Sequence, residues 1–384
     1  METKVYISNC IDYNESKIRT AFKETILDNN LLDFVKPKMK IAIKVNLVAA
    51  ATPDKAVTTN PVLVKVLCEE IVKRGAYAII GDSPGGLFNS NTLRNIYKES
   101  GMLSLVSENI SVNDNFNQEI RKINGKVVSS LDCSSWLLEA DAIINFAKLK
   151  SHGMMALSAC TKNMFGSIPG LLKPGYHYRY PNHADFADML IDIQEFYKCN
   201  LHLLDAIVGM EGNGPTQGTP RNIGLFMASK SPYAIDEVAA YIIGLTNDDV
   251  PSITQAIKRD KIPVSVNELD LSINVENFVI KDYKNIKPGK NMEFNDKFKG
   301  PFGKTITKMV AKILRVKPKV VKKECIGCKK CANICPAKAI EMKNGKPIID
   351  RNKCIRCFCC QEFCPKGAMK AHKSFIIKLL TKTK

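Results

Sequence analysis

Eight cysteines near the C-terminus are arranged in two runs with the same spacing. Each run reads Cys-x-x-Cys-x-x-Cys-x-x-x-Cys-Pro, the first from Cys325 and the second from Cys354. A cubane [4Fe–4S] cluster needs four thiolates, and where this run is doubled the fourth cysteine binds the cluster of the other run. We therefore predict two [4Fe–4S] clusters. The predicted ligands are Cys325, Cys328, Cys331 and Cys364 for cluster I, and Cys354, Cys357, Cys360 and Cys335 for cluster II.

Other uses of these cysteines fit the spacing less well. Structural zinc sites gather two pairs of ligands around one tetrahedral ion, not two runs of four with a trailing proline. A disulfide framework needs an oxidising compartment, and the N-terminal residues lack the basic-then-apolar pattern of a signal peptide. No apolar run reaches the ~18 residues of a membrane span. We therefore expect a cytoplasmic protein.

The charge of the chain constrains its partners. Lysine and arginine number 56 against 38 acidic residues, a formal net charge of +18, and much of the excess follows residue 280. No nucleic-acid motif accompanies this charge, so we expect a redox partner protein or a small anionic substrate, and no nucleic acid. A membrane surface is less favoured. Its support is a basic amphipathic helix predicted at Lys304–Arg315 and an apolar, basic tail at Phe375–Lys384.

Composition divides the chain into a long N-terminal part and a short C-terminal part. Residues 1–280 can form an α/β domain, either as one body or as two lobes that meet near residue 150. Residues 281–317 begin as a linker rich in lysine, asparagine, glycine and proline and end in the basic helix. Residues 318–371 hold both cysteine runs and predict a small α+β domain of the bacterial-ferredoxin kind. Residues 372–384 form the tail.

The N-terminal part alternates strand and helix patterns. Ile41–Val48 is a nearly continuous apolar run, which is typical of a strand buried on both faces. Asn60 and Pro61 suit the cap and the first position of a helix, and Gly75 suits its end. A longer helix is predicted at Glu15–Val35. This alternation predicts an α/β fold with a largely parallel sheet and flanking helices.

Two glycine-rich loops follow predicted strands, where α/β proteins usually bind ligands. One loop contains Gly81, Asp82 and Ser83, and the other contains Gly212 and Gly214. Their backbones leave room for a phosphate or a carboxylate, so we predict that these residues bind a ligand. Neither loop has the spacing of a Walker loop or of a dinucleotide fingerprint, and a plain turn is the alternative for each.

Charged residues cluster around the strand predicted at 140–150. Lys148, Lys150 and His152 project on one side if the chain stays extended. We predict that the lysines hold an anion, that His152 moves protons, and that Glu211 or Asp205 forms an acidic opposite wall. The predicted catalytic residues are Lys148, Lys150, His152, Lys162, Asn163 and Glu211. Each taken alone has the plainer interpretation of a solvated or structurally paired side chain.

The segment Lys173–His183 combines prolines, a glycine, aromatic residues and basic residues within eleven positions. This composition predicts a rigid loop, which serves either as a lid over a site or as a surface crossing.

Several motifs of the N-terminal part resemble those of the bacterial and archaeal family called domain of unknown function 362, whose members often carry a C-terminal pair of [4Fe–4S] motifs. The matching stretches are Lys44-Val45-Asn46, Gly81-Asp82-Ser83-Pro84, Lys148-Leu149-Lys150-Ser151-His152, Thr161-Lys162-Asn163-Met164-Phe165-Gly166, and Gly212-Asn213-Gly214-Pro215 with Asp236. The resemblance implies an α/β catalytic or binding domain fused to a ferredoxin. It implies no substrate.

Three functions are compatible with this organisation. The first is a reductase-like enzyme in which the ferredoxin module relays electrons to or from a site in the α/β domain. The second is a non-enzymatic electron-transfer subunit that docks through its α/β domain. The third is a ligand-binding or assembly protein with sensory or structural clusters. We favour the enzyme, because a two-cluster ferredoxin needs only about 55–60 residues and leaves some 300 for another task.

Overall fold

The computed structural model describes residues 2–286 and 316–372. The N-terminal strands are β1 Lys4–Asn9, β2 Lys40–Lys44, β3 Tyr77–Gly81, β4 Ile110–Val112, β5 Gln118–Lys122, β6 Ser130–Ser134, β7 Ala142–His152, β8 Ala156–Ser158, β9 Leu201–Glu211, β10 Thr219–Ser229 and β11 Asp270–Leu271. The helices are α1 Glu15–Phe22, α2 Pro61–Lys73, α3 Ser90–Glu99, α4 Ser135–Leu138, α5 Cys160–Asn163, α6 Lys173–Arg179, α7 His183–Tyr197, α8 Pro232–Ile242 and α9 Pro251–Lys258.

The main sheet has the order β11-β1-β10-β9-β7-β2-β3-β4, and β8 pairs with the end of β7. The pairs β3–β4, β2–β3, β2–β7, β7–β9 and β1–β11 are parallel. Strand β10 runs antiparallel to both of its neighbours, and β8 runs antiparallel to β7. The predicted α/β fold with a largely parallel sheet is therefore confirmed, with an antiparallel hairpin, β9–β10, built into it.

The central strand β7 is buried over all eleven residues because helices cover both faces of the sheet. Successive strand residues face opposite sides. Ile144 and Phe146 pack in the apolar cluster that includes α1 and α2, while Ile143 packs in the cluster of α7 and Ala147 in that of α8. This two-sided burial explains why the strand sequence is continuously apolar.

Local sequence signals set several boundaries correctly. The Asn60 side chain accepts a hydrogen bond from Val62 N at the start of α2, and Pro61 occupies the first turn. The helix predicted at Glu15–Val35 is shorter, because α1 ends at Phe22 and continues only as a π-helical segment to Leu27. The loop predicted at Lys173–His183 is wrong over most of its length. Its first seven residues form α6, with Pro174 in the first turn, where the missing N–H is tolerated.

The C-terminal residues form a small α+β domain, as predicted. Strand β12, Lys317–Val320, pairs with β15, Met369–His372, and β13, Ile340–Lys343, pairs with β14, Lys346–Ile349. The short helices α10, Lys330–Asn333, and α11, Cys359–Glu362, each carry the third cysteine of one run. We call residues 316–372 the ferredoxin domain.

Parts of the chain with predicted features lie outside the described residues. These are most of the predicted linker, the whole Lys304–Arg315 helix and the Phe375–Lys384 tail. Within residues 2–286 and 316–372, no helix combines the length and the apolarity that a membrane crossing needs.

Candidate functional site

A cavity of about 1100 Å³ lies between the α/β domain and the ferredoxin domain. We call it the interdomain cavity. The loops that follow β2 and β3, the helix α5 that follows β7 and β8, and the β9–β10 hairpin form its α/β wall. These parallel strands end at one edge of the sheet, which is where ligand sites of α/β folds form. The opposite wall consists of Lys330 and residues 359 and 362–365, which include Cys364, a predicted ligand of cluster I.

Five described lysines line the interdomain cavity. Lys55 and Lys330 are exposed, whereas Lys150, Lys162 and Lys173 are buried or half-buried. Lys150 Nζ donates to Asn46 Oδ1 at 2.7 Å and to the Val57 carbonyl at 2.8 Å. Lys173 Nζ donates to the carbonyls of Ser83 and Ile168. Lys162 differs from both. Its ammonium lies 5.8 Å from the centre of the Phe165 ring, and it has no hydrogen-bond or ion-pair partner among the residues that the structure describes.

Burial makes two of these lysines titrate near neutrality. Burial lowers the pKa of Lys150 to about 7, and the neighbouring charges of Lys162 and Lys148 act in the same direction. Burial likewise lowers the pKa of Lys173 to about 7, opposed in part by Asp82. The pKa of Lys162 is also lowered by burial, against the attraction of Glu362. An anion bound here would favour the charged form of each lysine.

A buried ion pair and an amide network hold the floor of the cavity. Lys44 Nζ lies 2.8 Å from Asp82 Oδ1, and Asp82 Oδ2 accepts from Leu47 N at 2.7 Å. Asn163 Nδ2 donates to the Lys44 carbonyl at 3.0 Å, while its Oδ1 accepts from Asn46 Nδ2 at 3.0 Å. Asp82 and Asn163 line the cavity and also fix its shape.

His152 lies beside the cavity, at the contact between the two domains. Its Nδ1 accepts hydrogen bonds from the backbone N–H groups of Met154 and Met155, both at 3.1 Å. The ring proton must therefore be on Nε2, which donates to Glu362 Oε1 at 3.0 Å. Burial lowers the pKa of His152 to about 4. Burial alone would raise the pKa of Glu362, but the hydrogen bond from His152 and the charge of Lys162 hold it at about 2.

The other predicted catalytic residues lie away from the cavity lining. Lys148 Nζ contacts Asp205 Oδ2 at 2.8 Å and donates to the Tyr13 hydroxyl at 2.7 Å, and Lys148 and Asp205 are both fully buried. The Glu211 carboxylate accepts from Lys284 N at 3.2 Å and pairs with its ammonium. The acidic side chains that line the cavity are instead those of Asp54, Asp82 and Glu362.

The predicted ligand-binding glycines serve close packing. A Cβ on Gly81 would come within 2.7 Å of the Trp136 ring, and a Cβ on Gly214 within 2.1 Å of the Ser151 carbonyl. Gly212 has a positive φ of 78° and its carbonyl accepts from the Ser151 hydroxyl. Ser83 does line the cavity, and its hydroxyl accepts from Gly170 N at 2.8 Å.

Sequence reasoning missed several cavity residues. Lys173 and His177 come from α6, in the segment predicted as a loop, and Lys44 acts through its pairing with Asp82. Glu362 and Phe363 come from the ferredoxin domain. Lys44 lies in Lys44-Val45-Asn46, one of the stretches that resemble the family motifs, and that resemblance could have indicated its role. No spacing in the sequence indicated that the last helix of the ferredoxin domain closes the site.

The two domains interlock through the residues around α11. Gln361 is fully buried, and its Nε2 donates to the carbonyls of Asn213 and Gly214 and to Asn213 Oδ1, at 2.9–3.0 Å. The Phe363 ring lies so close to Gly85 that a Cβ there would approach it to 2.3 Å. Phe358 packs near Gly153 in the same way. The ferredoxin domain therefore leans over the edge of the sheet.

The eight cluster cysteines surround two separate cavities in the ferredoxin domain. One is lined by the four predicted ligands of cluster I, with Val320, Met342 and Met369 among its apolar neighbours. The other is lined by the four predicted ligands of cluster II. Backbone N–H groups of Gly327 and Ala339 point at cysteine sulfurs, at 3.5 and 3.3 Å.

This crosswise grouping fits cubane clusters. Each thiolate of such a cluster binds a different iron, in an apolar, hydrogen-bonded shell. Within the described residues, no three Cys, His, Asp or Glu side chains are placed to share one metal ion. Cys359 belongs to neither group and lines the interdomain cavity.

Comparison with known families agrees with this architecture. The model of the domain of unknown function DUF362 matches residues 41–241, more than half of the chain. This chain belongs to the DUF362 family. In this DUF362 protein, residues 324–368 also match the model of a 4Fe–4S dicluster domain, so the C-terminal domain is a 4Fe–4S ferredoxin-like domain.

The DUF362 protein is similar to one curated relative and to two solved structures. Thylakoid-associated protein sll1697 of Synechocystis sp. (strain ATCC 27184 / PCC 6803 / Kazusa) is 31% identical over 222 residues, which are 58% of this chain and 68% of the relative. The lactate racemase apoprotein of Thermoanaerobacterium thermosaccharolyticum is 14% identical, with a TM-score of 0.41, over 64% of this chain. A Thermotoga maritima protein is 13% identical, with a TM-score of 0.34, over 56% of this chain. The chain spans 58% and 55% of these two structures, respectively.

Proposed function

We propose that this protein is a reductase-like enzyme that moves electrons between two [4Fe–4S] clusters and a small organic anion bound in the interdomain cavity. One observation carries the proposal: Cys364, the predicted ligand of cluster I, lines the same cavity as the Lys162 ammonium, which has no polar partner among the described residues. An anion-binding group and an electron-transfer group thus meet at one place. Residues 1–280 and 318–371 are the two functional units.

The clusters and the residues in and beside the cavity have separate roles in the proposed reaction. When bound, the clusters supply or accept electrons singly. Lys162 binds the anion, because none of its three N–H groups is engaged by a hydrogen bond or ion pair within residues 2–286 and 316–372. Lys150 and Lys173 add charge and can give or take a proton at neutral pH, since the pKa of each is about 7. His152 positions the Glu362 carboxylate at the cavity wall and does not itself carry charge at neutral pH.

Reoxidation of reduced clusters tests the proposal. Anaerobic protein with photoreduced clusters is mixed with small organic anions, and cluster absorbance is followed by stopped flow. We expect at least one anion class to reoxidise the wild-type clusters, and Lys162→Met to weaken the apparent affinity about tenfold or more, because a charge-assisted hydrogen bond is lost. Lys98→Met, an exposed lysine outside the cavity, is the matched control. Equal behaviour of the two variants would count against the cavity as the site.

Anion affinity should fall as pH rises through neutrality. Burial depresses the pKa of Lys150 and of Lys173 to about 7, so both are charged below that pH and lose charge above it. Lys162, Lys148, Asp82 and Glu362 supply the other charges that act on Lys150. We expect affinity to weaken by about tenfold per lost charge between about pH 6 and about pH 9. Calorimetric titration with an anion active in the reoxidation assay measures this, and a flat profile would contradict it.

A second candidate function, an electron-transfer subunit without its own substrate, is favoured by the surface of the ferredoxin domain. Residues 316–372 carry fourteen basic and four acidic residues, and each oxidised cluster with its thiolates adds only roughly −2. The cluster I ligand Cys328 is exposed, next to Ile326, which is 60% exposed. This basic and partly apolar face suits an acidic one-electron carrier protein in either function.

The carrier interaction should depend strongly on salt. We expect a reduced acidic ferredoxin to reduce the clusters about tenfold more slowly at high than at low ionic strength, because steering between opposite charges is screened. Lys329→Glu, beside Cys328, should slow the reaction similarly at low salt, whereas Lys98→Glu should not. If reduction by the ferredoxin depends on salt and on Lys329 as expected, and no anion reoxidises the clusters, the protein is an electron-transfer subunit and not an enzyme.

A further inference from the structure

We infer that the ligand of the interdomain cavity is an organic phosphate monoester, bound as a dianion through its phosphate group. This inference rests on the proposed function and names its substrate class. The charges, the unused hydrogen-bond donors, the type of cation and the size of the cavity each support it separately.

The charge balance of the inner cavity favours two negative charges on the ligand. Asp82 is already paired with Lys44 at 2.8 Å, so it does not offset the other lysines. Among the other charged side chains that the described residues bring to the cavity, those not fully exposed are Lys150, Lys162, Lys173 and Glu362. Asp54, Lys55 and Lys330 also line the cavity but are exposed, and solvent screens their charges. With the three lysines protonated, two positive charges remain to be neutralised, which a phosphate monoester dianion does.

The unused donors favour a group with several oxygens. Each ammonium has three N–H groups. Lys150 and Lys173 use two each on protein oxygens, and Lys162 uses none on the described residues. Five N–H donors therefore remain for a ligand. A phosphate presents three terminal oxygens with enough lone pairs to accept all of them.

The type of cation favours phosphate over carboxylate. No arginine is among the described residues that line the cavity. Arginine forks recognise planar carboxylates in a bidentate manner, whereas lysine acts on phosphate as a compact point charge. Lys150, Lys162 and Lys173 can surround a tetrahedral phosphate as three separate point charges.

The cavity is also large enough for the organic part of a phosphate monoester, and it offers a polar group that this part can contact. Its volume of about 1100 Å³ exceeds what inorganic phosphate would fill and lies at the upper end of ordinary ligand pockets. The wall formed by residues 48–51, with Ile96 and Pro215, is largely apolar. His177, which is 2% exposed, lines the cavity with a Nδ1 atom that has no hydrogen-bond partner in the described part of the chain. A hydroxyl or ester oxygen of the ligand can supply that partner.

Equilibrium binding to protein with oxidised clusters tests the inference without any electron transfer. The probes for anaerobic calorimetry are phenyl phosphate, inorganic phosphate, and phthalate as a dianionic dicarboxylate. We expect phenyl phosphate to bind most tightly, inorganic phosphate to bind more weakly at the same site, and phthalate to bind about tenfold or more weakly than phenyl phosphate. Lys162→Met should weaken phenyl phosphate binding about tenfold or more, and Lys98→Met should leave it unchanged.

The outcomes separate this inference from the proposed function. Phthalate binding as tightly as phenyl phosphate, or phosphate binding that ignores Lys162→Met, would overturn the inference. If carboxylates reoxidise the clusters in a Lys162-dependent way while phosphates do not bind, the inference fails and the proposed function stands. If phosphates bind as expected but no anion reoxidises the clusters, the inference stands and the enzymatic function fails.

Discussion

Cys364→Ala will remove the cluster bound by the first cysteine run and spare the cluster of its own run. The reason is that Cys364 lines the cavity of Cys325, Cys328 and Cys331, whereas Cys335 lines the cavity of the second run. A cubane cluster that loses one of four thiolates is poorly held. We expect iron and sulfide to fall from about eight to about four per chain in either Cys364→Ala or Cys335→Ala.

Double variants distinguish this crosswise pairing from simple pairing within each run. Cys328→Ala added to Cys364→Ala should remove no further iron, because both act on cluster I. Cys357→Ala added to Cys364→Ala should remove almost all of it. Cys359→Ala is the control, since Cys359 lies outside both cluster cavities and should leave the iron content unchanged. The opposite pattern in the double variants would overturn the assignment.

Gly85→Leu should interrupt electron transfer between cluster I and the interdomain cavity while both domains stay folded. A Cβ at Gly85 would meet the Phe363 ring at 2.3 Å, so a leucine pushes Phe363 and the adjacent Cys364 away from the cavity. Misplacement of reacting groups by about 1 Å can slow a reaction on the order of a hundredfold, and we expect an effect of that size. Cluster reoxidation by a bound anion measures it, with iron content as the check on folding.

The matched control is Gly175→Leu. Gly175 lies in α6, and no atom within 4 Å would meet its Cβ, so the same substitution disturbs nothing there. Gln361→Ala provides a second route to the same result, because it removes three hydrogen bonds that join the domains. If both Gly85→Leu and Gln361→Ala transfer electrons at the wild-type rate, the close docking of the domains is not needed for function.

The prediction of the cluster ligands needs only the sequence, because the geometry of each cysteine run is local. Three cysteines at intervals of three residues must wrap one side of a cluster, and the doubled run implies exchange of the fourth ligand. The order of strands and helices was also readable, because continuous apolar runs such as Ile41–Val48 indicate burial on both sheet faces. Lys150, Lys162 and Asn163 were placed near the site for a related reason, since they follow a buried strand at the edge where ligands bind.

The division between Lys150 and Lys148 needed the tertiary structure. The two residues share a side of an ideal strand, but the pairing of β7 with β9 shifts register between them. Lys148 consequently meets Asp205, which comes from β9, and Lys150 meets Asn46, which follows β2. The partner of each lysine comes from a segment that is distant in sequence. The periodicity of β7 alone therefore cannot predict which partner a lysine meets.

By itself, the sequence determined two cluster-binding runs, an α/β domain before them, and an excess of positive charge without a nucleic-acid motif. Only the tertiary structure decided that α6 brings Lys173 and His177 to the cavity, and that Glu362 and Phe363 close it from the ferredoxin domain. The physical reason is that thiolate spacing and apolar periodicity are properties of short segments. A cavity between domains depends instead on contacts such as that of Gln361 with Asn213, which join residues 148 positions apart.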